Sequence, residues 1–152
     1  MIRYGVELRD WKTAETAAQE MVEQAHGNKS VALAHYQLGF VLLEEGIDKH
    51  KDELFARTHE EMTKALAAAA NFPAAVFADG RTLACLKQDD RAKARFEEFL
   101  KMRPEDDLDR QRALRYTSQP ELARARMAPP FAITTTDGQR GSLWTTWPER
   151  SC

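Results

Sequence analysis

The chain is poor in residues that interrupt helices and in residues that cross-link or bind metal. Its 152 residues include two cysteines, seven glycines and six prolines. Cys85 and Cys152 lie far apart and no C-x-x-C occurs, which excludes a disulfide framework and a cysteine-rich zinc site. A reducing compartment is the plain expectation, cytoplasmic by default. No apolar run approaches the roughly 20 residues of a membrane span, and the opening MIRYGVELRD has no apolar core of a signal peptide. Charge of one sign is also missing. Twenty-two basic and 24 acidic residues leave a net charge of −2, so no global field draws the chain to nucleic acid or anionic lipid.

Catalytic signatures are equally scarce. G-x-S-x-G, G-x-x-x-x-G-K-[ST] and G-x-G-x-x-G do not occur. His59-Glu60-Glu61-Met62-Thr63 begins like the zinc protease motif H-E-x-x-H, but Thr63 stands where the second histidine is required. His26, His35 and His50 are scattered over other segments. Neither a metal site nor a cofactor is expected. Cys85 reads as a half-buried inert thiol, with Arg81 one turn back as the only nearby cation.

Helix formers fill residues 1–127, and turn signals are sparse. Gly27 with Asn28 ends one helix and Ser30 offers a cap for the next. Gly46 ends another, and Asn71-Phe72-Pro73 breaks an alanine-rich helix. Asp89 and Asp90 cap RAKARFEEFLKMRP, which Pro104 stops. Ser118-Gln-Pro-Glu121 has the capping-box pattern of a short last helix.

The helices are self-similar. Gly5 is followed three residues on by Leu8, Gly39 by Leu42 and Gly80 by Leu83. Gly5 to Gly39 is 34 residues, and Gly39 to Gly80 is 41, a seven-residue insertion. Ala17 and Ala92 each lie twelve residues after a glycine, with Thr58 in that place in the longer repeat; Met21, Met62 and Phe96 follow four further on. A glycine on one helix lets the next approach closely, and the leucines with Met21, Met62 and Phe96 then fill the seam. The insertion, within GIDKHKDELFART, either lengthens both helices or bulges their turn, and a solvated charged loop is its plain reading.

This pattern resembles the tetratricopeptide repeat, a helix–turn–helix unit of 34 residues, over about residues 1–104. His35 and Asp79 depart from it, standing where the family has an aromatic and a leucine. Met1 falls about three residues into the first unit, so upstream sequence is expected. The resemblance implies an all-α superhelix of about three hairpins, closed by capping helices over 105–127, with residues 128–152 an extended tail. Such arrays are interaction scaffolds. The register places Tyr36, Phe40, Leu43, Phe77 and Arg81, with Cys85, at exposed positions of the concave side, an aromatic surface suited to a protein or peptide segment. The alternative is that the C-terminal helix folds over this face as a cap. The Lys and Asn positions that clamp a peptide carboxylate in chaperone-binding members are missing, so that activity is not carried over. The arginines at 110, 112, 115, 124 and 126 read as a solvated face, not a nucleic-acid surface. A clipped first unit makes weak self-association an expectation.

After Met127 the texture changes. APPFAITTTDGQ alternates like a strand before an Asp-Gly turn. From Ala128 to Leu143 the chain resembles the start of thioredoxin-like redoxins of the peroxiredoxin and TlpA type, in which a D-D-L-x-G-K segment should follow. WTTWPERSC stands there instead. With allowed third bases, shifting the reading frame so that each codon starts on the last base of its predecessor converts LWTTWPERSC to L-D-D-L-A-G-K-V-V. The expectation is a frameshifted, truncated redoxin start, with Cys152 not a catalytic thiol. The chain alone reads as non-catalytic; the intact parent would be a thiol–disulfide oxidoreductase.

Overall fold

The computed structural model describes residues 2–105, 107–125, 132–134 and 140–142. The fold is all-α. Helices α1 (Ile2–Glu7), α2 (Trp11–Glu23), α3 (Asn28–Lys49), α4 (Asp52–Ala68), α5 (Pro73–Cys85), α6 (Asp89–Met102) and α7 (Leu108–Ser118) are followed by a 3₁₀ turn over Pro120–Arg124. Two three-residue strands, β1 (Ala132–Thr134) and β2 (Arg140–Ser142), pair antiparallel with Ile133 opposite Gly141. The strand expected in FAITTTDGQ therefore has a partner and is not a lone extended segment. Trp144, Trp147 and Cys152 lie outside the described residues.

Each helix packs on its neighbours in sequence, and α1 and α5 also touch α3. The hairpins are antiparallel: Gly39 faces Met62 while Gly46 faces Phe55, so residue numbers rise on one helix as they fall on the other. Three apolar clusters fill the seams. One holds Trp11, Ala14, Ala18 and Leu42. The next holds Leu43, Phe55, Met62 and Ala65, and the third Leu83, Ala92, Phe96 and Phe99. One hairpin cannot cover its own apolar face, so each is completed by the next.

The hairpins share a turn that the sequence did not announce. Arg9, His50 and Lys87 take left-handed φ values of 59°, 54° and 58°. In each case the next residue's N–H reaches back to the helix: Asp10 to the Gly5 carbonyl at 2.8 Å, Lys51 to that of Gly46 at 3.1 Å, and Gln88 to that of Leu83 at 2.9 Å. These bonds satisfy the carbonyls that a helix end leaves open.

The turns correct the expected boundaries. Gly46 does not end a helix; α3 continues to Lys49 because the ring of Phe55 packs where a side chain at 46 would sit. The insertion is not a solvated loop. It extends α3 and α4 up to the turn at His50 and Lys51 and buries Leu54 and Phe55. The first unit shifts too. Gly5 meets Ala14 across the hairpin, whereas Ala17 is only half-buried and Leu8, in the turn, is 61% exposed. Leu8 and Ala17 therefore do not fill the first seam; Trp11, Ala14 and Ala18 do.

Several expected caps move as well. The cap of α3 is Gly27 at φ 82°, with Ser30 inside the first turn. Asp89 and Asp90 lie in the first turn of α6 behind the cap residue Gln88, where their charge favours the helix dipole. Ser118 ends α7, and the 3₁₀ turn has no side-chain cap, so the capping-box reading fails. Asp107 caps α7, accepting from the N–H groups of Asp109 at 2.8 Å and Arg110 at 3.2 Å.

Candidate functional site

The five residues assigned to the concave face do come together. Tyr36, Phe40 and Leu43 from α3 and Phe77 and Arg81 from α5 line one cleft with about 100 Å³ of free space. Their spacing explains this: residues three and four apart on a helix share a face, and α5 packs beside α3. Tyr36 and Phe40 remain partly open. The other three are buried, which corrects their expected exposure.

Leu43 is enclosed by its own cluster with Met62, Ala65 and Ala78, whereas Phe77 and Arg81 are covered by the C-terminal segment. Helix α7 packs against α6, and the 3₁₀ turn against α5 and α6. Tyr116 stacks on Phe77 with centroids 6.0 Å apart and lies 5.3 Å from Phe96, while Phe99 closes on Phe77 at 5.0 Å. The cap alternative therefore describes the α5 side of the face, and on the α3 side Tyr36 and Phe40 stay partly open.

Electrostatics at the cleft floor centre on Arg81. Its guanidinium donates through Nη1 to Glu44 at 3.0 Å and through Nη2 to the Ala125 carbonyl at 3.2 Å. Arg81 is 1% exposed and Glu44 7%. Breaking one partner of such a buried pair costs far more than the intact pair contributes. The Nε–H of Arg81 is buried with no acceptor among the described residues. Burial pushes the Tyr36 hydroxyl pKa up, helped by the carboxylates of Asp109 and Glu44 and opposed by Arg81. The phenol therefore stays protonated and can donate.

Cys85 is separate from this cleft. It lies with His50, Asp52 and Arg124 in a second depression. Burial pushes its thiol up to about 11, against a smaller opposing pull from Arg81 and Arg124. A thiol so shifted is a poor nucleophile.

Two of the four histidines, His35 and His59, serve helix-to-helix contacts. His35 Nδ1 lies 2.7 Å from Glu61, joining α3 to α4, and His59 Nδ1 lies 2.6 Å from buried Asp79, joining α4 to α5. Among the described residues no group of three His, Cys, Asp or Glu side chains is placed to hold a metal ion. No described helix is long and apolar enough to cross a membrane. Arg110, Arg112 and Arg124 hold backbone and acids in place, and Arg126 lies outside the described residues. Arg110 donates to the Leu100 carbonyl. Arg112 bonds Asp109 at 2.9 Å, and Arg124 bonds the Ala84 carbonyl at 2.7 Å and Asp89 at 2.6 Å.

The remaining structural positions divide clearly. Leu42, Leu83, Ala92 and Phe96 are buried as expected, and Gly39 and Gly80 sit at crossings with Met62 and Phe96. Missed were the Gly46–Phe55 crossing, the Glu44–Arg81 pair and the aromatic floor of Phe99 and Tyr116. One signal was available: Gly5 to Gly46 spans 41 residues, the same as Gly39 to Gly80. No family model matches the chain, and neither a curated protein nor a solved structure does.

Proposed function

We propose that the chain is a non-catalytic protein-interaction module of the tetratricopeptide type, receiving a segment of a partner protein in the α3–α5 cleft. One observation carries this reading. Side chains from two non-consecutive helices converge on an aromatic cleft in which Tyr36 and Phe40 of α3 stay partly accessible. Aromatic walls contribute apolar contact at low cost in side-chain freedom, as docking grooves require. Affinity capture with the whole chain as bait tests it. Tyr36→Ala and Phe40→Glu baits, checked for helicity, should lose the specific partners that the unaltered bait retains. Equal capture by folded variant baits excludes the cleft.

A second reading concerns the parent protein. The β1–β2 pairing falls inside the run 128–143 that resembles a redoxin start. On this reading the module precedes a thiol–disulfide redoxin and brings a substrate protein beside it. Sequencing the gene through codons 140–160 should show a shifted frame continuing into an apolar strand and C-x-x-C. Insulin reduction by this chain should stay at background, with Cys152→Ser making no difference.

A further inference from the structure

We propose that the cleft selects an internal stretch of its partner, taking a neutral carbonyl oxygen beside a bulky aliphatic side chain and not a carboxylate. This rests on the interaction reading above and adds the chemistry of the partner.

The floor and wall supply donors. Arg81 is almost wholly buried, and its Nε–H meets no acceptor among the described residues. A buried donor left unpaired carries a desolvation cost that an incoming acceptor removes. The Tyr36 hydroxyl, on the facing helix of the same cleft, is a second donor. Phe40 and Phe77 supply apolar walls, and the free space of about 100 Å³ suits one aliphatic side chain better than an indole.

Charge decides which acceptor fits. Both cations of the cleft are already matched. Arg81 is bonded to Glu44 at 3.0 Å. Arg103, over the Phe99 ring at 5.9 Å, is bonded to Asp107 at 3.2 Å. Asp109 also lines the cleft and, with Glu44, lies close enough to act on the Tyr36 hydroxyl. Those carboxylates are matched in turn, Glu44 by Arg81 and Asp109 by Arg112 at 2.9 Å, so an arriving carboxylate meets no surplus positive charge to offset the hydration it gives up. A backbone carbonyl accepts the same hydrogen bonds and, being neutral, gives up less hydration to do so. The Arg81 Nε–H is covered in the free chain, so a partner reaches it only through a local rearrangement that uncovers it.

The test uses the full chain and small probes. ¹⁵N–¹H spectra are recorded during titration with N-acetyl-leucine methylamide and with N-acetyl-leucinate, which share a side chain and differ in charge. The expected result is saturable movement of the Arg81 Nε–Hε signal and of cleft amides on α3 and α5. The methylamide should bind at least about threefold more tightly than the carboxylate. Tyr36→Phe, which keeps the ring and loses the donor, should weaken the methylamide by about 3–10-fold, as one hydrogen bond predicts. Carboxylate binding as tight as the methylamide, or no effect of Tyr36→Phe, overturns this inference and leaves the interaction reading standing. Absence of saturable cleft shifts with both probes overturns both.

Discussion

Gly80 and Phe96 meet at the crossing of α5 and α6, where a Cβ on Gly80 would lie 2.7 Å from the ring's Cε1. Phe96 is fully buried among the side chains of its cluster, so its ring has little room to withdraw. Gly39 stands in the same relation to Met62, with its added Cβ 2.8 Å from the methyl end of a flexible thioether. Both glycines sit at a crossing within a hairpin, Gly39 eleven residues before the turn residue His50 and Gly80 seven before Lys87, and their neighbours yield differently.

Gly80→Ala should therefore destabilise by about 1–3 kcal/mol through overpacking, beyond what the better helix propensity of alanine returns. Gly39→Ala should come out near neutral, since Met62 can turn aside and alanine gains roughly 1 kcal/mol of propensity. Gly39→Leu should again cost at least about 1–3 kcal/mol. Urea midpoints on purified variants check the order; equal losses for the two alanine variants would contradict it.

Lys87→Gly should stabilise the chain by roughly 0.5–1 kcal/mol. Lys87 is exposed and holds φ 58°, a conformation that strains any residue with a Cβ. The gain is the relief of that strain less the entropy cost of glycine in the unfolded chain. A thermal melt that moves downward would show that the lysine side chain contributes something the turn geometry does not explain.

Acid should weaken the α3–α4 contact through Glu61. Burial alone would raise its pKa, but hydrogen bonds from Lys64 at 2.6 Å and His35 at 2.7 Å outweigh it, leaving it below the ordinary 4.5. A depressed carboxylate contributes stability that is complete above its unfolded value and lost as pH falls through the folded one. The advantage of the native chain over Glu61→Gln should be constant near neutrality and shrink below pH 4.5. A difference unchanged down to about pH 3 would remove Glu61 from the account.

Cys85 should resist alkylation. A shift from 9.0 to about 11 leaves roughly a hundredfold less thiolate near neutral pH. In the Cys152→Ser background, iodoacetamide should modify Cys85 at least tenfold more slowly than free cysteine, and only denaturant should restore the rate. Rapid labelling of the folded chain would mean that the α5 terminus opens readily.

The all-α class and the crossings at Gly39 and Gly80 were legible in residue spacing, because a helix of regular period carries its packing face in sequence. The same holds for the seam residues Leu42, Leu83, Ala92 and Phe96. The first hairpin was not, because Gly5 and Leu8 repeat the spacing of the later pairs while the turn at Arg9 falls between Leu8 and α2, leaving Leu8 outside. Where a hairpin turns is set by backbone bonds at a left-handed residue, and arginine, histidine and lysine give no local hint of that conformation. Which face stays open was also beyond the sequence. Phe77 and Arg81 have the register of exposed positions, but Tyr116 and the Ala125 carbonyl come from more than 35 residues away to cover them. Periodicity therefore determined which sides of the helices are apolar. Only long-range packing decided which of those sides another segment would claim, since that depends on where the chain returns in space.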